Sequence, residues 1–235
     1  MPISTLIPLE RAAIHGGRWF ASLSASLRED ILACAQVRRL PDATLLSARG
    51  EAAAEWVGVA AGAVRVSTVS LGGKQVALTY VEPGVWFGDI ALFDGMPRTH
   101  DAVTHGPTTL LVVARADFHA LLGRHAEFYD ALLRLNCRRL RLMFDMVEDL
   151  NTRPLAARLA KQILLLARAY GQDEPGGGLR IGLQLAQEDL AELLGASRQR
   201  VNLELKALER QGALRIEPAR LVVLDKARLL ELARH

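Results

Sequence analysis

The chain has 235 residues, half of them apolar, with few aromatics and a formal net charge of +3. That is enough for one or two domains with proper cores, and it is not the composition of a disordered chain. The apolar runs fall far short of the roughly 18 residues that cross a bilayer, and MPISTLIPLER has no basic region ahead of an apolar stretch, so neither a membrane span nor a signal peptide is expected. Cys34 and Cys137 form no metal-ligand spacing and read as reduced packing thiols of a cytoplasmic protein. No nucleophile–base arrangement suggests an enzyme.

The chain begins with a helical lead-in. Between Arg18 and Leu32, residues Trp19, Phe20, Leu23, Leu27 and Ile31 recur at helical spacing, with Ser22 or Ser24 available as a cap. From about Val37 to Val113 the pattern changes to short β-type runs: TLLSARG, EWVGVAAG, AVRVSTVS, GGKQVALTYV, PGVWFGD and TTLLVVA. Glycines such as Gly50, Gly62, Gly88 and Gly106 punctuate these runs, and Gly72-Gly73 is a hairpin signal. Short, regularly spaced strands predict a small barrel or sandwich.

A long helix follows within Asp117–Asn151. Tyr129, Leu132, Asn136, Leu140, Met143, Val147 and Leu150 succeed one another at intervals of three or four, a seam like that of a coiled coil. Arg138, Arg139 and Arg141 lie off it. Such a seam predicts pairing with a second copy; packing against the helix's own barrel is the alternative. Asn151-Thr152-Arg153-Pro154 breaks the helix and marks a hinge, with Pro154 in the first turn of the next helix. The expected domains are a barrel (1–124), a pairing helix (125–150) and a C-terminal domain (151–235).

Leu155–Tyr170 is amphipathic, GQDEPGGG is a flexible turn, and Leu179–Leu185 reads as a strand. Two helical patterns then flank Gly195-Ala196-Ser197. The first carries Leu190, Leu193 and Leu194 on one face. The second is capped by Ser197 and repeats Val201, Leu205 and Leu208. This is a helix-turn-helix. Gln199, Asn202, Leu203 and Lys206 lie off the apolar stripe, and Arg198 and Arg200 occupy the first turn, where base contacts concentrate. Ala213–Ile216 and Arg220–Leu224 read as a hairpin wing, followed by a last helix, Lys226–Arg234. Residues 151–235 carry 14 basic against 10 acidic residues, whereas 1–150 carry 15 against 16, so the positive excess lies with the helix-turn-helix. An ordinary αα-hairpin with solvated basic residues is the bland alternative.

Two motifs carry a family resemblance. PGVWFGDIALFDGMPRTHDA, at Pro83–Ala102, looks like the phosphate-binding cassette, and LAELLGASRQRVN looks like the helix-turn-helix, of the cyclic AMP receptor protein / fumarate-nitrate regulator (Crp/Fnr) family of bacterial transcription regulators. The resemblance covers nearly the whole chain from about Leu23. It implies an α+β fold: a cyclic-nucleotide-binding β-roll (jelly roll), a long dimerisation helix and a winged helix-turn-helix.

It also implies roles. Gly88, Arg98 and Thr99 match positions that hold a cyclic phosphate, and a glycine beside a guanidinium suits that task. Asp89 stands where a longer glutamate meets the ribose hydroxyl, and Leu78 and Thr79 fall on a strand that lines the pocket. Met143 and Phe144 stand where cyclic AMP sensors place a Thr-Ser pair against the adenine, and neither side chain makes those hydrogen bonds. Arg198 matches the guanine-reading arginine, in a recognition-helix start formed by Ser197, Arg198, Gln199 and Arg200. Gln199 and Leu203 replace a glutamate and an arginine.

The implied protein is a cytoplasmic homodimer on double-stranded DNA, with RNA polymerase as a partner and a cyclic nucleotide such as cyclic AMP as its effector. Effector binding is expected to shift the recognition helices about the Asn151–Pro154 hinge. No cysteine precedes Cys34 to hold an iron–sulfur cluster, and His100 and His105 read as surface residues, not haem ligands. The alternatives are a regulator with no effector, its Arg98 tied to Asp89 or Asp94 in an empty barrel, and a nucleotide-binding module that acts through protein contacts.

Overall fold

The computed structural model describes residues 3–70, 72–73 and 75–234; Lys74, the first residue of the expected run KQVALTYV, lies outside them. The chain divides into two compact units, residues 1–68 with 79–141, and residues 69–78 with 142–235.

From the N-terminus to Thr152, a 3-10 turn at Ile3–Thr5 precedes α1 (Pro8–Gly16), α2 (Arg18–Ala21) and α3 (Ala25–Cys34). The expected helix over Arg18–Leu32 is therefore two helices. Ser24 makes the break, its hydroxyl accepting from Leu27 N–H at 3.2 Å. Strands β1 (Gln36–Leu40), β2 (Leu45–Ser47), β3 (Glu55–Val69), β4 (Gln75–Val81), β5 (Trp86–Phe87) and β6 (Asp101–Ala114) follow, with α4 (Ile90–Asp94) between the last two. The sheet runs β1-β6-β3-β4, with β2 on β6 and β5 on β3. Then come α5 (Arg115–Arg124) and α6 (Ala126–Thr152).

The strands differ from expectation in one respect. EWVGVAAG and AVRVSTV form the single strand β3, and β6 starts well before TTLLVVA. Glycine makes this continuity feasible. Gly62 has φ +78° and Gly106 has φ +73°. Pairing slips there, from Ala61 opposite Thr109 to Ala63 opposite His105. Both long strands thus bulge at the same level, which bends the sheet and lets it roll. A Cβ on Gly62 would lie 2.5 Å from the Pro107 carbonyl oxygen, so the position has no room for a side chain.

Half of the scarce aromatics gather in one core. Trp56 and Trp86 stack with centroids 4.3 Å apart, and Phe20, Phe118 and Phe128 close around them. Gly58 permits this, since a Cβ there would sit 2.7 Å from the Trp86 ring. Trp19 donates its indole N–H to the Ala131 carbonyl at 2.9 Å, tying α2 to the first turns of α6. A separate aliphatic set fills the roll: Val57, Val59, Val64, Leu110 and Val112.

Leu132 corrects the expected seam. It is 0 % exposed and belongs to the aromatic core, whereas Leu133 is 65 % exposed. Replacing one by the other gives Tyr129, Leu133, Asn136, Leu140, Met143, Val147 and Leu150, spaced four and three in strict alternation. Apart from Asn136, every member of that row is exposed. The expectation that both cysteines pack is met at Cys34 alone. Its thiol donates to the Ile31 carbonyl, and burial pushes its pKa up to about 11. Cys137 is exposed on α6.

The second unit holds α7 (Leu155–Tyr170), β7 (Gly171–Asp173), β8 (Leu179–Ile181), α8 (Gln187–Leu194), α9 (Arg198–Arg210), β9 (Leu214–Glu217), β10 (Arg220–Val223) and α10 (Lys226–Leu232). Its sheet runs β7-β8-β10-β9, with the wing hairpin β9–β10 antiparallel. The first residues of GQDEPGGG are a strand and not a turn, because Gly171–Asp173 pair with Leu179–Ile181. Pro154 stands at the N-cap of α7, one position before the expected first turn. Asp149 braces the break, pairing with Arg153 at 2.8 Å and also with Lys161.

One buried acid locks the N-terminal helix to the roll. Glu10 accepts from Arg39 Nη2 at 2.9 Å, from the Ile7 N–H at 3.0 Å and from the Thr109 hydroxyl at 2.8 Å. The Arg39 hydrogen bond outweighs burial and, with the other two donors, lowers the carboxyl from its ordinary 4.5 to about 2. A depressed carboxyl stabilises the fold above its unfolded pKa and loses that contribution as pH falls through its folded one. Glu10→Gln is therefore expected to melt lower than the parent at pH 7, by about 2–4 °C per kcal/mol lost. The gap should close between pH 4.5 and about 2. Thermal melts across that range check this; a gap independent of pH would show that the ionised pair contributes nothing.

Candidate functional site

The cassette connects β5, α4 and the segment into β6. Gly88 has φ +92°, and a Cβ on it would stand 3.0 Å from Arg98 Nη1. The glycine thus provides both the backbone turn and the approach of the guanidinium. The Arg98 backbone is pinned to the β2–β3 loop, its N–H donating to Glu51 O and its carbonyl accepting from Gly50 N–H, both at 2.8 Å. Arg98 Nη2 donates to the Glu55 carbonyl at 2.7 Å. Burial pushes its pKa down, against the opposing field of Glu55 and Glu51. Among the described residues no carboxylate lies within ion-pair distance of it.

The alternative in which Asp89 or Asp94 neutralises Arg98 is not what forms. Asp94 accepts from the Met96 N–H at 2.9 Å. Asp89 is 0 % exposed, with its oxygens 2.8 and 3.0 Å from Arg139 Nη1 and 2.8 Å from the Asn136 amide. Arg139 also donates to the Trp86 carbonyl. The residue expected to meet a ribose hydroxyl is therefore turned inward and joins the cassette to α6. Desolvating a carboxylate is costly unless it is paired and hydrogen-bonded, and this one is both.

Arg98 lines a cavity of about 20 Å³ at the mouth of the roll, with Arg38, Ser47, Glu55 and Phe87. Arg38 and Glu55 close it with two hydrogen bonds, 2.7 and 3.0 Å. Of the other expected pocket residues, Thr99 is exposed and its hydroxyl lies 2.7 Å from His100 Nδ1. Leu78 is half-buried and Thr79 exposed, and neither lines this cavity. Met143 and Phe144 are exposed on α6. Arg38, Glu55, Asn136 and Arg139 were not singled out for the pocket from sequence. For Arg139 the signal was a charge beside an apolar row.

The helix-turn-helix is built as its sequence dictates. Gly195 ends α8 in the left-handed region at φ +62°. Ser197 caps α9, its hydroxyl accepting from Arg200 N–H at 3.4 Å. Ala186 cannot cap α8 with its side chain, and Asp189 compensates by accepting from the Ala186 N–H at 2.7 Å. Val201, Leu205 and Leu208 are buried, as are Leu190, Ala191 and Leu194. At the helix tip Ser197, Arg198 and Arg200 are exposed, as are Gln199, Leu203 and Lys206 on the other face. Asn202 is half-buried, and its carbonyl accepts from the Gln187 amide at 3.0 Å, so it holds the two helices in register.

Breaking the cassette junction gives a direct test. Arg139→Ala leaves the Asp89 charge buried beside Asn136 alone and is expected to cost on the order of 3 kcal/mol in urea unfolding. Asp89→Ala with Arg139→Ala should recover part of that, giving a coupling of about 1–3 kcal/mol in a double-mutant cycle. Strict additivity would show the contact to be energetically idle.

Comparison with known proteins accords with both halves. Residues 37–125 match the model of the cyclic nucleotide-binding domain, and residues 157–232 that of the Crp-like helix-turn-helix domain. A CRP-like cAMP-activated global transcriptional regulator of Mycobacterium tuberculosis is 34% identical over 75% of this chain and 78% of its own length. The cyclic AMP receptor protein of Thermus thermophilus is 34% identical over 74% and 77%. Among solved structures, FixK2 of Bradyrhizobium japonicum superposes with a TM-score of 0.74 at 22% identity, over 84% of this chain and 96% of that one, a likeness of fold. No helix among the described residues is long and apolar enough to cross a membrane. A nucleotide-type β-roll followed by a winged helix-turn-helix, with relatives of this similarity, places the chain in the Crp/Fnr family of DNA-binding transcription regulators.

Proposed function

We propose that the chain acts in the cytoplasm as a homodimer, presents two copies of α9 to a pseudo-palindromic operator, and is gated by a small phosphate-bearing effector in the roll, with RNA polymerase downstream. The working parts are an effector domain (1–124), a pairing helix (125–150) and a DNA-binding domain (151–235). The observation that carries this reading is the face of α9. Its first turn is capped and solvent-facing, with Arg198, Gln199 and Arg200 together, while its apolar stripe is fully buried. That is the arrangement of a recognition helix, with half-sites about 34 Å apart in a dimer. Arg198 suits guanine O6 and N7, and Gln199 suits adenine N6 and N7. Ser197 sets the helix start, Asn202 holds the helix against α8, and Lys206 faces phosphate.

Pairing is supported by the apolar row on α6. Tyr129, Leu133, Leu140, Met143, Val147 and Leu150 are all about half exposed or more, on a helix of 27 residues. A stripe of that kind, in heptad spacing, is stabilised by burial against its own copy. Gating is supported by Gly88 and Arg98, whose guanidinium, among the described residues, has a carbonyl partner and no carboxylate and favours an anion. Such an anion would lie one residue from Asp89, so its arrival would act on Arg139 and Asn136 of α6. Leu78, Thr79 and Thr99 remain proposed neighbours of the effector, as do Met143 and Phe144. The relatives' names point to cyclic AMP as the effector class.

A second reading, a regulator without a nucleotide, is favoured by the cavity itself. About 20 Å³ holds one water, whereas small-molecule sites usually enclose about 300 Å³ or more. Calorimetric titration with cyclic AMP, cyclic GMP and cyclic di-GMP separates the two, heat from one of them supporting the first and heat from none the second. Selecting bound DNA from a random pool, with and without each nucleotide, tests the whole. Arg198→Ala is expected to lose about 1–3 kcal/mol of preference at one base position; equal weakening on every sequence would mean that Arg198 touches only phosphate. Leu140→Lys is expected to give a monomer by sedimentation and to bind a full palindrome no better than a half-site.

A further inference from the structure

Leu203 is the most exposed large apolar side chain of the C-terminal unit, at 66%. It does not serve the fold. The packing stripe of α9 is Val201, Leu205 and Leu208, each at 3% exposure or less. Leu203 instead shares a face with Gln199 four residues before it, Arg200 three before and Lys206 three after, all exposed. A leucine there adds apolar surface in water among groups that would favour phosphates and base edges. On that surface a protein–protein contact would leave three polar or charged neighbours to desolvate. A major groove would not, because it offers acceptors to those neighbours and one apolar group besides, the C5-methyl of thymine.

We propose that Leu203 reads thymine, packing on the C5-methyl of one thymine in each half-site next to the base pair contacted by Gln199. This rests on the DNA-binding reading of α9 and adds a base identity to it. The arithmetic is modest. One buried methyl group contributes roughly fourfold in affinity, so a change at both half-sites contributes about 16-fold.

Deoxyuridine differs from thymidine by that methyl alone. The experiment starts from an operator selected from a random pool with the full-length protein. Each thymine is replaced singly by deoxyuridine, symmetrically in both half-sites, and binding is measured for the parent and for Leu203→Ala. Thermal melting of the variant checks that this surface change leaves the fold intact. The expected result is one position where the parent binds roughly 16-fold more weakly to deoxyuridine and Leu203→Ala does not distinguish the two bases. Equal binding by the parent at every position overturns the proposal, as does an unchanged thymine preference in Leu203→Ala. Failure to enrich any sequence would overturn the DNA reading itself, whereas an enriched operator indifferent to methyl groups removes only the role of Leu203.

Discussion

The ion pair between Asp89 and Arg139 fixes where the rest of the first unit must go. Asp89 stands at the N-cap of α4, directly after the cassette glycine, and has no exposure to water. A carboxylate in that position has to be met by donors from another element, and α6 supplies them one turn apart, from Asn136 and Arg139. Arg139 also holds the Trp86 carbonyl, so its planar fork joins β5 to the residue that precedes α4. Trp86 in turn stacks on Trp56, and that pair is the centre of the aromatic core. Charge and aromatic packing thus meet at one place, and the long helix cannot roll about its axis without leaving a buried anion exposed to nothing.

That constraint gives α6 two faces. Phe128, Leu132 and Arg139 belong to the core side. Tyr129, Leu133, Leu140, Met143, Val147 and Leu150 belong to the outer side, and only the structure separates Leu132 from Leu133. Both leucines satisfy a spacing of three or four, so periodicity alone could not choose. Asn136 sits between the faces. Its amide donates to Asp89 and to the Leu132 carbonyl, which uses both of its hydrogens within its own chain.

Local chemistry was legible where one residue decides one feature. Ser24 and Ser197 start α3 and α9 through their hydroxyls, Gly195 turns the chain, and Gly72-Gly73 separates two neighbouring strands. The wing and the helix-turn-helix followed from such signals. What could not be read depends on partners distant in the chain. Gly62 and Gly106 look like strand ends, but each is a bulge inside a long strand, because the other strand bulges opposite it. Gly171–Asp173 looks like part of a loop until Leu179–Ile181 supplies the hydrogen bonds. In the cassette, Gly88 and Arg98 were recognisable by type. The inward turn of Asp89 was not, since it depends on two side chains 47 and 50 residues away.

Arg158 of α7 donates to the Leu194 carbonyl, at the open end of α8, at 2.8 Å, and Gln187 of α8 bonds Asn202 of α9. Three successive helices are therefore geared tooth to tooth by hydrogen bonds as well as by apolar packing. The exposed first turn of α9 is therefore held by α8, and α8 by α7, so the three helices form one packed piece.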